Sequence, residues 1–153
     1  MANTYSQITI QIVFAVKGRE NILHENFRPE LFKYINGVIK GKSQFPLAVN
    51  GWKDHVHVLF GLSPNIAVSE MARDIKANSS KWINEHKLVK GTFNWQEGFG
   101  AFSYSRSQRD NVIKYIINQE KHHTVKTFKE EYLDMLRKSE IEYDEKYLFE
   151  FYD

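Results

Sequence analysis

The run Asp54-His55-Val56-His57-Val58-Leu59-Phe60 constrains this chain more than any other stretch. Read with the two-residue period of a β-strand, His55, His57 and Leu59 point one way, and Val56, Val58, Phe60 and Leu62 point the other. The second face reads as core. The first carries two imidazoles one residue apart along the same face, close enough to share a metal ion. Two histidines do not complete a site, so a third ligand and a reactive group must come from elsewhere in the chain.

The flanking sequence supplies the rest of a small sheet. Ile8, Ile10, Ile12, Phe14 and Val16 alternate with Gln7, Thr9, Gln11 and Ala15, which predicts a strand. After the polar loop Lys17–Asn26, the residues Phe27, Leu31, Tyr34, Ile35, Val38 and Ile39 recur at helical spacing, with Pro29 in the first turn and Gly41 just past the end. Phe45–Val49 reads as a second strand that turns near Asn50–Asp54 into the histidine strand, forming a hairpin. Beyond the break at Ser63-Pro64-Asn65, Val68, Met71, Ala72, Ile75, Trp82 and Ile83 mark a second helix ending near His86, with Arg73, Lys76 and Lys81 on a solvated face. Lys90–Gly98 is a loop and Phe99–Ser105 a last core strand.

Ser107 as N-cap, with Asp110 three residues on, opens a helix over about Gln108–His122, and Thr127 with Glu130 opens another marked by Phe128, Tyr132, Met135 and Leu136. The tail from Ile141 is acidic and aromatic and carries no assignable pattern. Strand, helix, strand, strand, helix, strand, joined by right-handed crossovers, is an α+β, ferredoxin-like split βαβ sheet with two helices on one face. The histidines would then lie on the opposite face, under the C-terminal helix that begins near Gln108.

A chain of 153 residues is expected to form a single domain over 1–153, with an acidic helical tail from about 127. With no cysteine there are no disulfides and no thiolate metal sites, which fits a cytoplasmic protein. No signal peptide is evident, and the apolar run Ile12–Val16 is too short to span a bilayer. The net charge of +2 hides an asymmetry. From Phe128 onward there are nine acidic and four basic residues, against 17 basic and ten acidic before it. A basic body with an acidic tail is compatible with a polyanionic ligand.

On the predicted Gln108–His122 helix, Tyr115 and Gln119 are four residues apart and share a face, whereas Asn118 points elsewhere. A phenol and a neutral oxygen ligand can thus be presented together to an ion held by His55 and His57. His123, four residues past Gln119, is a reserve ligand; helix-end capping or solvent exposure is the plainer role for it and for His122.

At this point the residues resemble a known family. His-hydrophobic-His in a strand of a ferredoxin-like domain, followed by Tyr-Ile-Ile-Asn-Gln on a late helix, is similar to the one-tyrosine HUH transposases, the single-strand DNA transposases of bacterial insertion sequences, and to the related REP-associated tyrosine transposases. The similarity runs through Phe14, Lys17 and Arg19, Asp54–Phe60, Ile75-Lys76, Trp95–Phe99 and Tyr115–Gln119, and is weakest after Glu140. It implies that His55, His57 and Gln119 bind a divalent metal, Mg²⁺ or Mn²⁺, and that Tyr115 is the nucleophile. It implies single-stranded DNA, in hairpin ends of an insertion sequence, as substrate. For the insertion-sequence transposases it further implies a homodimer in which Tyr115 and Gln119 come from one subunit and the histidines from the other; the REP-associated relatives need not be built that way, and the short serine-rich link before the helix allows either its own sheet or a partner's.

The chemistry is consistent with these roles. A phenol with an ordinary pKa of about 10 needs help to attack at neutral pH. With two imidazoles and an amide as neutral ligands, an ion keeps its full charge for the phosphate, and imidazole ligation favours Mn²⁺ over Mg²⁺. A phosphotyrosine conserves the bond energy, so a 3′-hydroxyl can reverse the step without ATP. Other phosphate chemistries fit less well. A histidine-triad hydrolase would want histidine where Leu59 stands, and the paired His-x-Thr/Ser motifs of a two-histidine phosphodiesterase are missing. The rival from another class is a domesticated, non-catalytic protein on the same fold that only grips DNA hairpins. No base-contacting residue can be named from the sequence.

Overall fold

The computed structural model describes residues 3–18 and 22–152. Arg19, one of the residues carrying the resemblance, lies outside them. The elements follow the expected order. Strand β1 (Thr9–Ala15) leads to helix α1 (Arg28–Gly41), the hairpin β2 (Phe45–Gly51) and β3 (His55–Gly61), helix α2 (Val68–Glu85) and strand β4 (Gly100–Tyr104). The four strands form one antiparallel sheet in the order β2-β3-β1-β4.

Register decides which residues surround the histidines. On β1, Ala15 lies opposite His55 and Val13 opposite His57; on β2, Asn50 lies opposite His57. The hairpin turn is tight because Gly51 has no side chain; a Cβ there would run into the His55 carbonyl.

The two faces of the sheet are covered differently. Ile10, Ile12 and Phe14 of β1 and Val56, Val58 and Phe60 of β3 pack against α1 and α2. These helices bury the residues that their apolar period predicted, Leu31, Ile35 and Ile39 on α1 and Met71, Ala72, Ile75 and Ile83 on α2. Lys76 departs from the expected solvated face, because its Nζ donates to the Gln96 and Gly98 carbonyls at 2.8 Å each. It thereby pins the turn that leads into β4.

The opposite face carries Val13, Ala15 and Phe102 with the two histidines. Its cover is more elaborate than a single helix. Ser105 and Gln108, not Ser107 and Asp110, form the capping box, at a 3₁₀ turn over Arg106–Gln108. Helix α3 (Arg109–Ile117) follows and breaks at Asn118, whose φ and ψ of −93° and 24° are not helical. A single turn, α4 (Gln119–His122), completes the stretch predicted as one helix. Thr127 and Glu130 then form the expected capping box and start α5 (Phe128–Lys138). Phe128, Tyr132 and Leu136 pack on the sheet, and the tail returns Phe149 onto the same cluster. The tail is also held where Gln96 Nε2 donates to the Glu150 carbonyl and the Glu150 N–H donates to Gln96 Oε1.

Candidate active site

His55 and His57 are wholly buried, each at 0% exposure, rather than lining an open face. Their orientation is set by neighbours on the outer side of each ring. His55 Nδ1 donates to Asp54 Oδ1 at 2.7 Å. Gln11, diagonal to His57 across the β1–β3 ladder, donates from Nε2 to His57 Nδ1 at 2.7 Å, and the Tyr104 hydroxyl donates to Gln11 Oε1 at 2.7 Å. Such outer partners fix ring rotation and decide which nitrogen faces inward. Phe128 stacks flat on His55, with centroids 3.9 Å apart and planes 3° from parallel.

Both Nε2 atoms turn toward the cover. His55 Nε2 lies 2.9 Å from Gln119 Oε1. Tyr115 sits over His57, its ring edge-on at 6.1 Å, and stacks on His122 at 4.4 Å. The four residues singled out in the sequence, His55, His57, Tyr115 and Gln119, thus converge within one chain. Within the chain, the link through Tyr104–Gln108 carries α3 over the sheet that bears the histidines. Asn50 holds that placement. Its side-chain Nδ2 donates to the Ile116 and Ile117 carbonyls at 2.9 Å each, at the C-terminal end of α3.

The residue at the centre was not foreseen. Glu131, on the first turn of α5 and 2% exposed, inserts its carboxylate among the others. Oε1 lies 3.1 Å from His55 Nε2, 3.0 Å from His57 Nε2 and 3.3 Å from His123 Nε2. Oε2 accepts from Gln119 Nε2 at 2.9 Å and from the Tyr115 hydroxyl. The signal available in the sequence was a carboxylate three residues after Phe128, on the apolar stripe that includes Met135. It was masked by Glu130, whose capping role accounts for acid at the start of a helix. His123 also differs from its expected role. Its side chain is buried, its Nε2 lies 3.1 Å from Gln119 Oε1, and among the described residues its Nδ1 has no hydrogen-bond partner.

These contacts set the charges. Burial depresses His55, but the bonds to Asp54 and Glu131 outweigh it and raise its pKa from 6.5 to about 9, so it is an imidazolium. His57 is lowered by burial, which outweighs the pull of the Glu131 carboxylate, with the neighbouring His55 imidazolium adding to the effect. Burial alone would raise Glu131, yet His57, His123 and His55 hold it well below the carboxylate range. Tyr115 is pushed well above the ordinary phenol value by burial and by the Glu131 charge and hydrogen bond.

The donor set fits a divalent metal. His55, His57 and Glu131 present ligand atoms all within 4.8 Å of one another, buried, with Gln119 Oε1 beside them. Ligands bound at about 2.1 Å around one ion lie about 3 Å apart, close to the 3.0 and 3.1 Å between the two Nε2 atoms and Oε1. Glu131 changes the expected electrostatics, because the three sequence-predicted ligands are neutral and this one is anionic. Among the described residues, no helix is long and apolar enough to cross a membrane.

Comparison with known proteins gives a consistent picture. The family model described as "Transposase IS200 like" matches residues 4–119. No curated protein matches the chain. Among solved structures, a Deinococcus radiodurans protein described as a transposase aligns with a TM-score of 0.63 and 18% identity, covering 78% of this chain and 95% of its own. A REP-associated tyrosine transposase bound to a REP hairpin aligns with a TM-score of 0.58 and 20% identity, covering 83% and 76%. Helix α5 and Glu131 lie beyond the family-matched segment.

Proposed function

Because the chain belongs to the family of IS200-like transposases, we propose that it cleaves and rejoins single-stranded DNA with Tyr115 as nucleophile. The observation that carries this reading is the convergence of the Tyr115 hydroxyl, both histidines and Gln119 on one buried polar centre. The hairpin bound by one structural neighbour favours a hairpin end as the DNA that this chain grips.

In the proposed step, the Tyr115 oxygen gives up its proton and attacks the scissile phosphorus, the bond to the 3′-oxygen breaks, and that oxygen takes up a proton, so that a 5′-phosphotyrosine and a free 3′-hydroxyl result. Attack by a 3′-hydroxyl on that ester frees Tyr115 and rejoins the strand. The phenolic proton already lies on a hydrogen bond to Glu131 Oε2, which orients the hydroxyl. Asn50 fixes the end of α3, the helix that carries Tyr115 and leads through Asn118 to Gln119. Asp54 and Gln11 keep the imidazoles aimed inward.

His55 Nε2, His57 Nε2, Gln119 Oε1 and Glu131 Oε1 would hold Mg²⁺ or Mn²⁺, which supplies Lewis-acid polarisation of a phosphate oxygen when bound. Binding there requires His55 to lose its inward proton. It also requires His57 to carry its proton on Nδ1, with the Gln11 amide reversed; the Tyr104 hydroxyl, donor or acceptor, permits that reversal. The homodimer implied by the sequence would on this geometry join two self-sufficient sites.

Incubation with Mn²⁺ and single-stranded oligonucleotides carrying candidate hairpin ends should yield a covalent protein–DNA adduct, mapped to Tyr115 by mass spectrometry. Tyr115→Phe should bind the same hairpins and form none. Normal cleavage by Tyr115→Phe would show that the nucleophile is another residue.

A further inference from the structure

Helices α3 and α5 do not meet along their whole length. A cleft of about 510 Å³ opens between them, with Tyr115 at its inner end and Gln11 and Tyr104 as its floor. On the α3 wall, Asn111 precedes Tyr115 by one turn, about 6 Å along the helix axis, on the same face, with Val112 beside it. Met135 stands on the α5 wall, and it and Val112 are both half-buried. The cleft therefore has an apolar side chain on each wall and an amide at its rim. The Asn111 side chain makes no hydrogen bond within the described chain, although its neighbours on the floor are fully engaged.

Its acidic groups are compensated. Glu131 is enclosed by three histidines, and Asp134 pairs with Lys126 at 3.5 Å and Lys138 at 3.0 Å. The cleft thus sets no unpaired negative charge against a phosphodiester. Its volume is within the range of sites that take a small ligand. A strand whose phosphate reaches Tyr115 must place an adjoining nucleotide within one helical turn of it, and this cleft opens there.

We propose that the cleft is a base-selective subsite for the nucleotide adjoining the scissile phosphate. The base is held between Val112 and Met135, and Asn111 reads its edge. The inference rests on Tyr115 being the nucleophile, and it assigns a ligand to a wall that the family-matched segment does not contain. An unbranched thioether packs well against flat rings, and an asparagine amide offers the donor–acceptor pair that matches adenine best.

The test is a nuclear magnetic resonance titration of the full-length protein with the trinucleotides d(TAT), d(TCT), d(TGT) and d(TTT), and with the same frame bearing an abasic centre. The Asn111 side-chain amide and the Met135 methyl are the probes. Binding should shift both signals. d(TAT) should bind roughly tenfold more tightly than the abasic frame, and Asn111→Leu, at an exposed position, should bring that ratio below about twofold. Equal affinity for all five ligands, or an unchanged preference in Asn111→Leu, would overturn the proposal. Adduct formation is read in parallel. Adduct without base preference refutes the subsite alone, whereas base preference without any Tyr115 adduct on candidate hairpin ends refutes the tyrosine chemistry and, with it, the cleft's place beside a scissile phosphate.

Discussion

Replacing Glu131 with alanine removes the group on which the whole metal-free site is built. Its carboxylate is shared by His55, His57, His123, Gln119 and Tyr115, all supplied by elements other than α5. In Glu131→Ala the His55 imidazolium keeps Asp54 but loses its inner counter-charge, and the inward donors are left facing a small void. Removing one partner of a buried ionic cluster costs about 3–5 kcal/mol, a large share of the roughly 5–15 kcal/mol that holds a domain folded. At about 2–4 °C per kcal/mol for a chain of this size, the melting temperature in EDTA at pH 7 should fall by about 10 °C. Glu131→Gln, which keeps volume and one acceptor but loses the charge, should fall by less. The three remaining ligands should still bind Mn²⁺, and an ion present at about 100 times its dissociation constant returns about 2.7 kcal/mol. The variant should therefore recover most of its loss on addition of Mn²⁺. Calorimetry in EDTA and in Mn²⁺ reads both quantities. If Glu131→Ala melts within a degree of the parent in EDTA, the carboxylate does not hold the cluster together, and the reasoning fails.

Three further outcomes follow from the same geometry. The raised His55 stabilises the metal-free fold fully below its ordinary pKa of 6.5 and loses that contribution as pH climbs to about 9, which amounts to about 3 kcal/mol. The depressed His57 and Glu131 act in the opposite sense, withdrawing stability as pH falls below their ordinary values of 6.5 and 4.5. Melting temperature in EDTA should thus peak near pH 6.5 and decline toward pH 9, and a rise over that interval would contradict the protonated His55. Asn50→Ala should cost about 2 kcal/mol for two lost hydrogen bonds and slow adduct formation more than it weakens hairpin binding. Asn50→Asp, which sets an anion against two carbonyls, should be worse, so parent-like adduct rates in Asn50→Asp would dismiss the clamp. Because the site closes within one chain, co-expressed His57→Ala and Tyr115→Phe subunits should show no restored cleavage; restored activity in a purified heterodimer would mean that α3 crosses to the partner sheet.

Most of the fold could be read from local periodicity because each element declares its own period. The alternation in Ile8–Val16 and Asp54–Phe60 and the apolar stripes of α1 and α2 leave little freedom once the crossovers are right-handed. The capping of α3 was less legible. Ser105 and Ser107 are both acceptable caps, and the choice fell to Gln108, whose Oε1 accepts from the Ser105 backbone at 2.8 Å. The break at Asn118 has no strong local signal, and tertiary bonds set it: Asn50 takes the last carbonyls of α3, while Gln119 is drawn inward by His55 and Glu131. A four-residue spacing puts Tyr115 and Gln119 on one face of an unbroken helix. The structure unites them across a broken one, since both bond to the same carboxylate.

Glu131 shows why the site was less legible than the fold. His55 and His57 are legible because a strand brings residues two apart onto one face, so their partnership is written in three residues. Glu131 meets them only because Phe128 and Tyr132 bury on either side of it, against His55 and the Phe102 side of the sheet. That placement depends on a loop, a cap and a stacking contact more than seventy residues from the histidines, and no spacing rule encodes it. The consequence reaches the chemistry. A site of neutral ligands would sit open and polar in the absence of metal, at the cost of burying unpaired imidazoles. With Glu131 present, the proton on His55 and the carboxylate offset each other. Metal then competes with that proton for the His55 Nε2 position. Affinity for Mn²⁺ should accordingly rise with pH up to about 9, the pKa of His55, with close to one proton released per ion at pH 7. Titration calorimetry in buffers of different ionisation enthalpy measures that proton directly. Binding with no proton release would place the ion elsewhere than on His55.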